Sequence, residues 1–390
     1  MKRKLTVLIL LILIKVNTKA QIKILFDAKK AETAGNADWI IDADVHNLYW
    51  GPNAQLTGTE SNAQRIPMPA QSGITAATLE NYWNGGLSNW AIDCVKEGYV
   101  VESLPYTSSI TFGSTTNSQD LSNYAVYIVC EPNLPFSAAE KTAIWNYVQA
   151  GGSLFIISDH DQSDRNGDGT DSPGIWNSLL TGETTGLTFN LDNFSGTSSL
   201  IVNTGSDSIT NGQYGNVTQV LWSSGTDITL NTTVNSTARA AIYRSGNNNN
   251  DSKVLFAYAH YGSGKIAAIG DSSPCDDGSG DPNDALYNGY IVDAGGNHRK
   301  LLMNATVWLA KNTFNQVSEG NLKTNEIYVY DKKLVTHLSG SSPIVIRDLS
   351  GKIAKSVTNQ PDNGEISLDD LPIGIYIVTY ENRSKLIAIQ

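Results

Sequence analysis

Cysteine is scarce. The 390 residues hold three, Cys94, Cys130 and Cys275, with no Cys-x-x-Cys spacing. That excludes zinc-ribbon and thioredoxin-type sites and leaves room for one disulfide with an odd thiol over. Cys94 and Cys130 read as buried small hydrophobes. Charge is also sparse, at 17% Asp, Glu, Lys and Arg, and its balance is acidic, with a formal net charge of −11. Such a body is repelled by nucleic acid and anionic lipid unless cations bridge the two, so no nucleic-acid partner is expected. Long apolar runs are missing apart from one near the start. Leu5 to Ile14 spans about ten residues, which matches a signal-peptide core and is too short to cross a bilayer. No transmembrane anchor is expected.

Around that run the pattern is specific. Met1-Lys2-Arg3-Lys4 is a basic lead, and Thr18-Lys19-Ala20 offers small residues before a cut. Residues 1–20 are therefore expected to be a removable signal peptide, with Gln21 as the new terminus. The segment carries five bases and no acid, so its removal takes the charge from −11 to −16. That suits an extracellular protein that binds calcium.

Residues 21–315 alternate strand and helix signals. Ile22 to Asp27, Tyr99 to Glu102, Tyr124 to Cys130 and Ser153 to Ser158 are apolar runs expected as strands. The run to Cys130 is continuous, as for a strand buried on both faces. Glu80 to Glu97 has helical spacing. Ser137-Ala138-Ala139-Glu140 is a capping signature that opens a helix ending at Gly151-Gly152. Residues 185–252 break the pattern, being rich in Thr, Ser, Asn and Gly, and read as a β-rich antiparallel insertion. Lys253 to Tyr258 and Gly264 to Asp271 read as a hairpin returning to the sheet, and His298 to Lys311 as a closing helix. The alternation predicts an α/β fold with a doubly wound, mostly parallel sheet. From about Asn325 the chain changes character. Runs with period two, separated by Gly, Pro, Asn and Asp turns, predict a small all-β sandwich over 325–390.

Two stretches resemble known families. Phe136 to His160, with its capping helix, Gly151-Gly152 and following strand, and Tyr261 to Ser273 resemble the class I glutamine-amidotransferase-like superfamily, including its ThuA-like and intraflagellar-transport-like relatives. The resemblance covers about residues 22–312 and implies a flavodoxin-like sheet. It does not carry glutaminase chemistry over. The nucleophile elbow falls near Asp159-His160, where no Cys stands, and Asp271-Ser272 replaces the partner His. At the other end, the hairpin Ile346-Arg347-Asp348-Leu349-Ser350-Gly351-Lys352 and the strand Leu371-Pro372-Ile373-Gly374-Ile375-Tyr376-Ile377-Val378 resemble the type IX secretion sorting domain of Bacteroidetes. This implies export across both membranes, with the type IX machinery and its sorting peptidase as partners and a secreted or surface-attached product.

The candidate site follows from where strands end. Catalytic and binding groups in open α/β sheets collect beyond the carboxyl ends of strands. Asp27, Glu131, Asp159, His160, Asp161 and Asp271 all stand at such ends. Buried carboxylates together need a cation or shared protons to offset their repulsion. Two oxygen-rich loops leave the same edge. Asp164-x-Asn166-x-Asp168-Gly169 matches positions one, three, five and six of an EF-type calcium loop, with Asp171 as a further oxygen and Ile175 where a Glu would close the loop. The second loop begins at Asp271 and Ser272 and runs through Asp276 and Asp277. The expected catalytic residues are therefore Asp159, His160, Asp271 and Ser272. The expected ligands to calcium or another divalent cation are Asp164, Asn166, Asp168, Asp171, Asp161, Asp276, Asp277 and Asp27. For each Asp alone, capping a turn is the simpler role. The aromatics Tyr49, Trp50, Tyr82 and Trp83 read as a sugar-stacking rim or as packing. Two functions fit. One is a secreted hydrolase acting on an extracellular glycan or ester. The other is a non-catalytic secreted or surface binding protein, with polysaccharide as a partner and structural calcium.

Overall fold

The apolar runs become strands that pair in parallel. The computed structural model describes residues 21–311 and 327–389, except 43, 51–54, 63–69, 198–199, 203–204, 206, 248, 281–286, 288, 293–296, 331, 337–342, 349–351, 359–363, 373 and 381–382. The signal-peptide segment 1–20 lies outside the described residues, as do the side chains of Tyr49 and Trp50. The main sheet has ten strands: β1 (Lys23–Ala28), β2 (Val100–Pro105), β3 (Val126–Cys130), β4 (Ser153–Ile157), β5 (Leu187–Phe189), β6 (Leu200–Ile201), β7 (Ile228–Leu230), β8 (Arg239–Tyr243), β9 (Val254–Tyr261) and β10 (Gly264–Ile269). Their order is β2-β1-β3-β4-β10-β9-β7-β5, with β8 on β9 and β6 on β8. The pairs β1–β2, β1–β3, β3–β4 and β4–β10 are parallel. The hairpin β9–β10 and everything beyond it are antiparallel. Four strands of the β-rich insertion, β5 to β8, thus extend the main sheet as its antiparallel edge, while Phe194–Thr197 with Leu221–Gly225 and Asn211–Gly212 with Gly215–Asn216 form two separate small sheets.

Alternate residues of each central strand face opposite layers, because strand side chains have period two. Phe26, Ile128, Phe155 and Ile269 join one core with Trp90 and Ile92 of α1 (Ser88–Lys96). Leu25, Val129, Ile156 and Ala268 join the other with Trp145 of α2 (Ala138–Gln149) and Trp176 of α3 (Ser172–Leu180). A closing helix, α4 (Asn297–Ala310), adds Leu301, Leu302 and Leu309 to the first core. Burying each such Leu, Ile or Phe stabilises the fold by roughly 1.5–3 kcal/mol. The sheet is therefore covered on both faces, as a doubly wound fold requires.

Two local expectations change. The helix expected over 80–97 is one short turn at Glu80–Tyr82 followed by α1. Gly85 between them has φ 119°, and a Cβ on Gly86 would come within 2.6 Å of the Asp38 carbonyl oxygen. Close backbone approach at this glycine pair breaks the helical run. In contrast, α3 was not signalled by periodicity and starts inside the second half of the oxygen-rich loop. Ser137 behaves as expected. Its hydroxyl accepts from the Glu140 N–H while the Glu140 carboxylate accepts from the Ser137 N–H.

The C-terminal strands are β11 (Ile327–Tyr330), β12 (Lys333–Thr336), β13 (Ile344–Asp348), β14 (Ile353–Val357), β15 (Gly364–Ser367), β16 (Gly374–Tyr380) and β17 (Arg383–Ile389). They form two antiparallel sheets, β11-β12-β15 and β14-β13-β16-β17. Leu334 and Ile366 from one sheet pack with Ile344, Ile346, Val378 and Tyr380 from the other. Among the described residues, no helix is long and apolar enough to cross a membrane.

Candidate functional site

Strand β1 pairs with β2 on one side and β3 on the other, so the crossovers reverse direction between β1 and β3. In open α/β sheets the crevice at this reversal, outside the carboxyl ends, is where ligands bind. Asp27, Glu131, Asp159 and Asp271 stand at or just past the ends of β1, β3, β4 and β10.

Their roles differ. At Asp27, Oδ1 accepts from the N–H groups of Lys29 (2.8 Å) and Lys30 (2.9 Å), and Oδ2 accepts from the Tyr127 hydroxyl. It therefore caps the turn after β1, with both oxygens accepting hydrogen bonds. Beside it Glu32 is fully buried, and burial together with the Asp27 charge pushes its carboxyl well above the usual range. Asp271 likewise accepts from Ser223 N–H (2.6 Å) and Ser273 N–H (2.9 Å). Burial raises its pKa to about 7, although those hydrogen bonds pull the other way.

Glu131 is different. It leaves β3 at φ 46°, a left-handed conformation that costs a residue with a Cβ about 1–3 kcal/mol. The resemblance placed the elbow one strand later, at Asp159-His160. The turn sends the Glu131 side chain inward, where it has no solvent exposure. Its carboxylate accepts from Arg165 Nε, and from the Ser272 hydroxyl at 2.8 Å. Ser272, expected as a catalytic residue, is thus buried with a carboxylate as its partner.

The cation among these carboxylates is Arg165. Its Nη2 lies 3.4 Å from both Glu131 Oε2 and Asp159 Oδ2, and its Nη1 donates to Asn36 Oδ1 at 2.8 Å. Burial alone would lower the guanidinium pKa, but Glu131 and Asp159 raise it instead. Burial also drives the Asp159 carboxyl well up, as do the nearby Glu131 and Asp271 charges, while Arg165 opposes them. His160 stands at the mouth, with Nε2 3.7 Å from Asp159 Oδ2. Its Nδ1 lies 2.6 Å from the Asp161 carbonyl oxygen. Nε2 is the ring nitrogen that faces Asp159. The Asn193 amide nitrogen lies 3.1 Å from the same Nδ1, which brings the insertion to the rim. A carbonyl only accepts and an amide nitrogen only donates, so Nδ1 serves one of these two partners at a time. The site can therefore hold a proton on Asp159, relay one through His160, and meet polar oxygens with the Arg165 edge.

The expected calcium loop closes on its own backbone. Asp164 accepts from the Asp168 and Gly169 N–H groups at 3.1 and 2.7 Å. Asp168 accepts from Thr170 N–H, and Asn166 donates to the Asn133 carbonyl. Asp171 is the N-cap of α3, with Oδ1 accepting from Gly174 N–H and Oδ2 from Gln162 N–H. Partial burial and the nearby Asp171 carboxylate raise the Asp161 carboxyl. In the second loop, Asp276 accepts from Gly278 and Tyr287 N–H groups, and Asp277 from Ser279 and Asn89 N–H groups. Among the described residues, no three His, Cys, Asp or Glu side chains converge to hold a metal ion. Asp164, Asp171, Asp276 and Asp277 each use both oxygens as acceptors within the protein, and the Arg165 guanidinium is directed to Glu131 and Asp159, outside the expected ligand set. In the aromatic rim, Trp83 is buried while Tyr82 is exposed.

The sequence pointed to the edge on which Glu131, Asp159 and Asp271 stand, but not to the residues that organise it. Arg165 was hidden as a spacer in the calcium-like pattern. The signal was present, since it is the one Lys or Arg among the five Asp of 159–171. Asn36 and Asn193 carried no sequence signal. A separate groove of about 530 Å³ lies at the opposite edge, lined by Gln149, Asn235, His260 and Tyr261 among others. It contains none of the acidic groups.

No protein-family model matches the chain, and no curated protein does. Among solved structures, the N-terminal domain of mmIFT52 is similar over 74% of this chain and 97% of its own, at 15% identity and a TM-score of 0.43. A cytoplasmic protein from Salmonella typhimurium is similar over 74% of this chain and 98% of its own, at 12% identity and a TM-score of 0.38. A β-galactosidase from Bacillus circulans sp. alkalophilus is similar over 71% of this chain and 36% of its own, at 12% identity and a TM-score of 0.33. These likenesses assign neither a family nor an activity.

Proposed function

We propose that the chain is an exported, hydrolase-like protein of the glutamine-amidotransferase-like superfamily, acting on an extracellular glycan or ester at the carboxyl edge. The observation that carries this reading is the contact of Asp159 with both Arg165 and His160 at the sheet's reversal point. A carboxyl whose pKa is raised by burial is suited to donate a proton to a leaving oxygen. His160 Nε2, at the mouth, accepts a proton from an incoming water. The Arg165 fork and the Asn36 amide orient the substrate oxygens. The N-terminal basic-apolar segment and the C-terminal sandwich support export through the type IX machinery, which predicts a cell-surface or secreted product.

The test is a panel of chromogenic glycosides and esters, with wild type, Asp159→Asn and His160→Ala compared. The reading expects at least one substrate turned over, with each variant reducing the rate by about 10²-fold or more. Turnover unchanged in both variants overturns it. The second reading, a non-catalytic binding protein, is favoured by one observation: Ser272 is buried and committed to Glu131. Polysaccharide binding without turnover across the panel would select it.

A further inference from the structure

The three thiols are all free and buried, and two of them meet under the site. Cys130 is the last residue of β3, immediately before Glu131. Cys275 closes the turn after β10, its N–H donating to the Ser272 carbonyl at 2.8 Å. The Ser272 hydroxyl in turn donates to Glu131 at 2.8 Å. One short path of hydrogen bonds therefore ties the residue after Cys130 to the turn that ends at Cys275. Both side chains lie in the same core cluster with no solvent exposure. The two sulfurs are within interaction range, since Cys130 is raised first by burial and next by a hydrogen bond to Cys275. Cys94 sits apart on α1, beside Asp93 and Glu97.

We propose that Cys130 and Cys275 are a disulfide site that staples the exit of β3 to the loop after β10, with Cys94 as the odd thiol. The inference is independent of the hydrolase reading. Both side chains are closed off from solvent once the chain is folded, so the bond is made while the chain folds. With oxidised glutathione as oxidant, one cysteine thiolate attacks the glutathione disulfide, forms a mixed disulfide and releases one glutathione thiolate. The second cysteine thiolate then attacks the mixed disulfide and releases the other. The protein loses two electrons and two protons, and one glutathione disulfide becomes two thiols. The bond closes a long loop, which lowers the entropy of the unfolded chain.

The test uses the full chain, unfolded in guanidinium and refolded in a reduced and oxidised glutathione mixture. Acid quenching, alkylation in denaturant and peptide mapping follow. The expected result is a peptide joining Cys130 to Cys275, with alkylation on Cys94 alone. The melting temperature should rise by roughly 5–10 °C over the fully reduced protein. Three alkylated cysteines after oxidative refolding overturn the proposal, as does a crosslink that uses Cys94. The variant Cys94→Ala provides a second measurement. The crosslink should persist in it, and its loss there would equally overturn the assignment.

Discussion

The two acidic loops that leave the carboxyl edge, 159–171 and 271–279, are alike in composition and opposite in use. In 271–279 the carboxylates of Asp271, Asp276 and Asp277 are turned onto backbone N–H groups and are buried. That loop is a scaffold. In 159–171 the outer carboxylates also cap turns, but the loop delivers Arg165 inward to Glu131 and Asp159 and leaves His160 at the mouth. The difference lies in one basic residue. A loop of Asp with no cation must satisfy each carboxylate with backbone N–H groups, its own or a neighbour's. A loop with one Arg can gather carboxylates from other strands.

The largest effect should come from removing that cation. Arg165→Met leaves the buried Glu131 without its counter-charge, and stability measured by urea unfolding should fall by about 3–5 kcal/mol. A loss under about 1 kcal/mol would mean that the two loops do not differ in this way.

Proton binding sharpens the comparison on the scaffold side. Burial raises Asp271 and Asp276 to about 7 in the folded protein, whereas an unfolded Asp titrates near pH 4. The folded state therefore holds more protons between those values, and stability falls as pH rises from about 4 to about 7. The size of the fall should be a few kcal/mol, read from urea melts across that range. In Asp271→Asn the slope should be shallower, because one of the two groups no longer titrates. An equal slope in the variant would remove Asp271 from the account.

The smallest expected effect is that of a chelator. If Arg165 supplies the positive charge and the loop oxygens are held by N–H groups, the Tm of the purified protein should be unchanged by EDTA. Metal analysis by mass spectrometry should find no stoichiometric calcium. A chelator-sensitive melt would restore the calcium expectation for Asp164, Asn166 and Asp168.

The strands of the central sheet were legible because continuous apolar runs and the Ser137 capping box are local signals, and local signals survive in sequence. The two-layer C-terminal module was legible for the same reason, since its period-two runs and turn residues are read within a few positions. The break at Gly85-Gly86 was not, because it depends on the backbone of Asp38, distant in sequence. Of the candidate site, the strand ends Asp159 and His160 were found by the general rule for α/β sheets. Arg165 was missed because a pattern match treated its position as a spacer. Asn36 and Asn193 were missed because their partners lie on other loops.

By itself the sequence determined the α/β alternation, the acidic balance and the edge of the sheet on which oxygen-rich loops gather. Those are properties of composition, periodicity and strand termination, each decided within a short window of chain. Only the tertiary structure decided which carboxylates are caps and which meet a cation. That outcome depends on β3, β4 and β10 lying side by side, so that Glu131, Arg165, Asp159 and Ser272, drawn from three separate stretches, share one buried volume.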